Sequence, residues 1–170
     1  AGGVLKPGDE VVVLPSGMTS KIGGIDLFDQ EISEAFPPMS VTVRLEDDVD
    51  VSRGDMIARV NNAPQPSQDI DAMVCWMTTT PLQPRQKLAI KHTTRTARAL
   101  VKDIQYRLDV NTLHRDQETG ELGLNEIGRV QLRSTVPLLC DPYSKNRTTG
   151  SFILIDEATG VTVGAGMIND

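Results

Sequence analysis

The feature that most restricts this chain is its punctuation: short β-branched runs alternate with glycine and proline from one end to the other. A helix needs apolar residues recurring every three or four positions over about ten residues or more, and no such stretch persists here. The first run, Glu10-Val11-Val12-Val13-Leu14, lies between Lys6-Pro7-Gly8-Asp9 and Pro15-Ser16-Gly17. Proline pre-sets φ and glycine accepts positive φ, so this reads as one strand between two turns. Residues 19–28 make a second strand, with a bulge or kink expected at Gly23-Gly24. Residues 39–45 alternate apolar and polar side chains, which predicts a strand with one face buried and one solvated.

The acidic stretch Glu46-Asp47-Asp48-Val49-Asp50 lacks the ligand spacing and central glycine of a calcium loop and reads as a solvated connection. Ser52-Arg53-Gly54-Asp55 is a turn, and residues 56–60 another short strand. Asn61-Asn62-Ala63-Pro64-Gln65-Pro66 offers no face to bury and reads as a linker. The expected domains are therefore 1–64 and 65–170. In the second, residues 70–77 form a continuous apolar run suited to a central strand and carry the single tryptophan, Trp76. Residues 87–91 and 97–110 are expected to make a long hairpin with residues 92–96 as the loop at its tip. Residues 126–132 continue the alternation, and residues 151–156 and 161–168 pair across the turn Glu157-Ala158-Thr159-Gly160.

Charge is distributed unevenly. Residues 1–64 hold five Lys/Arg against eleven Asp/Glu, whereas residues 65–170 hold twelve of each. The whole net charge of −6 thus belongs to the first domain, which argues against that domain tracking a nucleic-acid backbone. No apolar run approaches the roughly 18 residues that a membrane-spanning helix requires. Cys75 and Cys140 sit in no C-x-x-C or Cys/His cluster and are expected to be buried free thiols; spacing alone leaves a disulfide open. The opening AGGVLKPGDE has neither an initiator Met nor a basic, apolar leader. It is expected to be an internal piece of a longer, cytoplasmic chain.

Two motifs now support a resemblance. Leu5-Lys6-Pro7-Gly8-Asp9-Glu10-Val11 and Ser52-Arg53-Gly54-Asp55-Met56-Ile57 resemble the opening and closing strands of the second-domain barrel of translational GTPases such as elongation factor Tu. Longer segments are more specific. Asp109-Val110-Asn111-Thr112-Leu113-His114-Arg115, Leu124-Asn125-Glu126-Ile127-Gly128-Arg129-Val130 and residues 149–156 resemble the large subunit of bacterial sulfate adenylyltransferase, and the similarity runs over essentially all 170 residues.

That resemblance implies an all-β protein of two tandem β-barrels of the translational-GTPase domain II/III type, the first incomplete at its N-terminus with an open edge. It implies a parent enzyme that makes adenosine 5′-phosphosulfate from ATP and sulfate with the help of GTP hydrolysis, in some bacteria continuing into an adenylylsulfate kinase. The expected partners are the small catalytic subunit and the parent's own GTPase domain, with neither nucleic acid nor membrane. No G-x-x-x-x-G-K-[ST] occurs, so GTP and Mg belong to the parent's GTPase domain and no cofactor is expected in these residues.

The one basic region, residues 82–115, carries Arg85, Lys87, Lys91, Arg95, Arg98, Lys102, Arg107 and Arg115 against Asp103 and Asp109. It is either a surface that meets an acidic partner or a set of outward strand residues that form no single patch. His92 and His114 lie in presumed loops without an identifiable carboxylate and read as surface or interface residues rather than acid–base groups. Residues 141–150, with Lys145 and Arg147, make a polar loop that connects strands or holds an oxyanion. Asn111, Arg115 and Asn125 are expected to brace loops. The candidate interface residues are thus His92, Arg95, Arg98, Arg115, Lys145 and Arg147, with no catalytic or metal-binding residue. The competing classes are a translation-factor-like barrel that binds RNA or the ribosome, and a stand-alone binder of sulfate or nucleotide.

Overall fold

The structure, a computed structural model, describes residues 2–170, and the chain divides into two compact units, Ala1–Gln65 and Pro66–Asp170. Both are built from antiparallel strands, and the described residues contain one helical turn, the 3-10 turn Val60–Asn62.

The first unit holds β1 (Glu10–Leu14), β2 (Met18–Leu27), β3 (Gln30–Glu31), β4 (Thr42–Leu45) and β5 (Met56–Arg59). Their pairing order is β3-β2-β1-β5, with β4 also on β2, so the sheet does not close on itself. It is a half-barrel. Pairing of β2 with β4 slips between Ile22 and Gly24, where the glycine pair predicts a bulge. A side chain at Gly24 would collide with the Arg44 guanidinium, which bridges Asp26 and Glu31. The alternating run 39–45 is strand only from Thr42; Val41, Val43 and Leu45 are half-buried and pack on Val11, Ile22, Ile25 and Ala35. In the acidic loop, Asp47 accepts a hydrogen bond from Ser20 Oγ at 2.8 Å.

The second unit contains β6 (Pro66–Trp76), β7 (Lys87–His92), β8 (Arg95–Leu108), β9 (Arg115–Asp116), β10 (Ile127–Leu139), β11 (Ser151–Ile155) and β12 (Thr162–Ile168). The pairing order β10-β6-β12-β11-β7-β8 is closed by pairing of β8 with β10, so these strands form a barrel; β9 is an addition to β8. Closure leaves no free edge in that ring and gives every strand an inner and an outer face. Ile70, Ala72, Val74 and Trp76 point inward from β6, where they meet Leu88, Ile90, Val101, Val130, Leu132 and Leu154. The run 70–77 lies on a strand paired on both sides, as expected, and its burial alternates: Met73 and Cys75 are on the outer wall and half-buried. Trp76 is fully buried, and its indole N–H donates to the carbonyl of Thr80 at 2.7 Å.

Three boundaries also differ from expectation. The β6 strand begins at Pro66, a position where proline's missing N–H costs little. The β10 strand passes beyond residue 132 and through Pro137, because its pairing with β6 slips between Arg133 and Leu138. Finally, the loop expected over residues 92–96 contracts to Thr93 and Thr94, since His92 and Arg95 pair across the hairpin. The β11–β12 hairpin has the expected turn, with Asp156 Oδ1 accepting from the amides of Ala158 and Thr159 and Gly160 at φ 72°. Both cysteines are free and half-buried, and burial pushes the Cys140 thiol up, away from the reactive thiolate.

Candidate functional site

The barrel scatters most of the basic region rather than gathering it. Successive residues of β7 and β8 face opposite ways, and three of the eight cations find carboxylates. Arg98 meets Glu157 at 2.8 Å, Lys102 meets Asp69 at 3.5 Å, and Arg107 spans Asp116 and Glu126 at 2.8 and 2.6 Å. Arg115, on β9, lies over the Tyr106 ring at 5.1 Å, a cation–π contact. Arg98 and Arg115 are thus already engaged within the unit.

His92 is a correction to the expected surface residue. It is 1% exposed, on the inner face of β7, and its Nε2 lies 2.7 Å from the carbonyl oxygen of Thr149. A carbonyl only accepts, so Nε2 carries the proton and donates. Burial pushes the imidazole below its ordinary value of 6.5, against the opposing pull of the Thr149 carbonyl and the Asp141 charge. Such a side chain cannot meet a partner. Arg95, its cross-strand neighbour, is half-buried, and its Nη1 is shut from solvent without a hydrogen-bond partner.

Residues 141–150 fold into a braced loop. Asp141 accepts from Thr149 Oγ1 and from Lys145 Nζ, both at 2.9 Å. Asn146 Oδ1 accepts from the amides of Thr148 and Thr149, while its carbonyl accepts from Gly150 N at 2.7 Å. Lys145 and Asn146 donate their amides to Pro142, and Tyr143 donates its amide to Ile168. The amides of Tyr143, Lys145, Asn146, Thr148, Thr149 and Gly150 are all engaged, which leaves no two successive amides free for an oxyanion nest. Asp109 braces the 109–114 loop similarly, accepting from the amides of Asn111 and Thr112.

Arg147 is the candidate residue that the fold leaves available. It lines a groove on the outer wall of the barrel with Lys91, and neither forms an ion pair among the described residues. Sequence reasoning placed both within basic segments but had no means of bringing residues 56 positions apart together; the signal was the register of β7 with β11, which only the sheet supplies. Among the described residues no cluster of His, Cys, Asp and Glu is arranged to hold a metal ion, and no helix is long and apolar enough to cross a membrane.

An all-antiparallel half-barrel and a closed barrel in tandem define the class of the protein. The structure of Sup35 complexed with GDP superposes with a TM-score of 0.87 over 99% of this chain and 41% of that one, at 20% identity, a likeness of fold. The family model described as GTP-eEF1A C-terminal domain-like matches residues 69–169, and the chain belongs to that family. More particular relatives cover both units. The bifunctional enzyme CysN/CysC of Mycobacterium tuberculosis is 57% identical over 99% of this chain and 28% of its own length. Sulfate adenylyltransferase subunit 1 of Tolumonas auensis is 48% identical over 99% of this chain and 35% of its own length. The chain is homologous to these proteins and spans about a third or less of their length.

Proposed function

We propose that these two units are the non-catalytic β-barrel region of a sulfate adenylyltransferase large subunit. In this reading they couple GTP hydrolysis, carried out by a GTPase domain elsewhere in the parent chain, to synthesis of adenosine 5′-phosphosulfate from ATP and sulfate. GTP and its Mg ion belong to that domain. The barrels pass a nucleotide-dependent shift to the small catalytic subunit, in the cytoplasm.

One observation carries the reading: identity of 57% to CysN/CysC and 48% to sulfate adenylyltransferase subunit 1 extends across both units. Shared architecture alone does not do this, since the Sup35 structure has the same fold at 20% identity. The RNA-binding reading is disfavoured by the acidic first unit, with five cations against eleven anions over residues 1–64.

The test is calorimetric titration of the chain with a purified small catalytic subunit of sulfate adenylyltransferase, with and without added GTPase domain. Saturable binding is expected in at least one setting. Absence of binding in both, together with salt-sensitive binding of RNA, would replace this reading by the translation-factor one.

A further inference from the structure

The groove that holds Lys91 and Arg147 has a volume of about 690 Å³ and is built by the register of the barrel. Ile153 of β11 stands opposite Lys91 of β7 on one side and Ala165 of β12 on the other; one step along, Ser151 stands opposite Met167. These outward residues form the floor, where the short Ala165 leaves a hollow and Met167 is 44% exposed. The wall is the 143–148 segment, which contributes Tyr143 and Arg147. It is held close because residue 150 has no side chain: a Cβ at Gly150 would lie 2.4 Å from Tyr143 Cα. The amide of Tyr143 also donates to the Ile168 carbonyl at 2.9 Å, tying the wall to the end of β12.

Charge selects the occupant. Lys91 and Arg147 are the charged residues of the lining, which includes no carboxylate. Elsewhere on this unit Arg98, Lys102, Arg107, Arg129, Arg133 and Lys145 are all neutralised by Asp or Glu. The hollow therefore combines two unneutralised cations with an exposed apolar floor. A free oxyanion gains nothing from Met167 and Ile153, and the loop leaves no two successive amides free to hold it. A chain segment carrying carboxylates beside an apolar side chain satisfies both features. We propose that this groove docks an acidic, partly apolar segment of the small catalytic subunit, with carboxylates at Lys91 and Arg147 and an apolar side chain on Ile153 and Met167. The identity of the partner rests on the function proposed above.

The test compares three forms of the full 170-residue chain: wild type, Lys91→Glu/Arg147→Glu, and the charge-matched control Arg85→Glu/Lys87→Glu, whose cations lie outside the groove. Circular dichroism first establishes that each form melts as wild type does; a fourth form, Met167→Asp, which places a charge on the floor that repels the occupant's carboxylates, is the second probe and should also weaken binding. Titration with the small subunit at low and moderate salt is expected to show wild-type binding. The groove double variant should lose at least about tenfold in affinity and the control less than about twofold, with the gap widening at low salt. Equal binding by wild type, the groove variant and Met167→Asp would overturn the groove and leave the proposed function standing. No binding by any form, with or without added GTPase domain, would remove both. Tight binding of inorganic sulfate or of an oligouridine RNA, abolished in the groove variant, would overturn the protein occupant in favour of a free anion or a nucleic acid.

Discussion

The Nε2 of His92 donates to the carbonyl of Thr149 at 2.7 Å, joining the buried end of β7 to the base of a loop 57 residues away. Thr149 in turn donates from Oγ1 to Asp141, which also holds Lys145. One buried neutral imidazole thus anchors the segment that carries Arg147 into the groove.

This arrangement sets a pH dependence. Burial depresses the imidazole's folded-state value below the ordinary 6.5, so the unfolded chain binds a proton before the folded one does. Stability from this residue is fully present above about pH 6.5 and is lost as pH falls through the folded value. The melting temperature should decline between pH 7.5 and 5.5. His92→Leu should flatten that decline and, at pH 7.5, lower stability by about 1–3 kcal/mol through loss of the imidazole donor to the buried Thr149 carbonyl. A melting series with the same slope in wild type and variant would remove His92 as its cause.

Gly166 and Phe152 stand opposite each other inside the barrel, and a Cβ at residue 166 would lie 2.2 Å from Phe152 Cζ. Gly166→Ala should therefore destabilise by about 1–3 kcal/mol, the range for overpacking a close-packed interior. Adding Phe152→Leu to Gly166→Ala should recover part of the loss, because the ring end is removed. Chemical denaturation of the two single variants and the double variant would read this as a coupling; strict additivity would mean that Gly166 is constrained by something other than the ring.

Asp71 and Arg129 face each other from β6 and β10 with two hydrogen bonds of 2.8 and 2.9 Å, and Asn169 adds a third to Asp71 at 2.7 Å. The Arg129 hydrogen bond lowers the carboxyl below its usual 3.8. A depressed carboxylate contributes stability above its unfolded value, near pH 4, and that contribution is lost as pH falls through the folded value. Each side chain is 35% exposed, so screening keeps the effect small. Asp71→Asn should lower the melting temperature on the order of 2–4 °C at pH 7 in low salt, and by less in 1 M salt. A difference that grew with salt would contradict an electrostatic origin.

The β architecture was legible because local chemistry carries it. Glu10–Leu14 and the Glu157–Gly160 turn need only β-branched residues and glycine, and both form as their sequences imply. Which face of residues 70–77 is the interior was not legible, because barrel closure decides it and places Asp71, Met73 and Cys75 outside. His92 was misread for a related reason. Threonine and arginine neighbours suggest a solvated loop, but a turn of two residues returns His92 to the inner face of its strand. The groove was invisible in the sequence, since Lys91 and Arg147 meet only through strand order. Arg147 was singled out as a basic loop residue, and that gave no clue to its neighbour.

The two units should also differ in how they unfold. In the first, four buried residues form the core cluster, Val11, Ile22, Ile25 and Ala35, and β5 pairs on one side alone, with β1. In the second, eighteen buried residues fill a ring in which β6, β7, β8, β10, β11 and β12 are each paired on both sides. Buried apolar area is the main stabilising contribution to either unit, and unpaired strands open at low cost. Trp76 is the chain's single tryptophan and belongs to the second unit, so its fluorescence follows that unit, whereas far-ultraviolet circular dichroism follows both. Urea unfolding of the isolated chain should begin by circular dichroism before any change at Trp76, and amides of Met56–Arg59 should exchange faster than those of Ile127–Leu132. Val11→Ala should move the early phase alone, by about 1–3 kcal/mol. Coincident transitions by both probes, in wild type and in Val11→Ala, would mean that the half-barrel is stabilised as one cooperative body with the closed barrel.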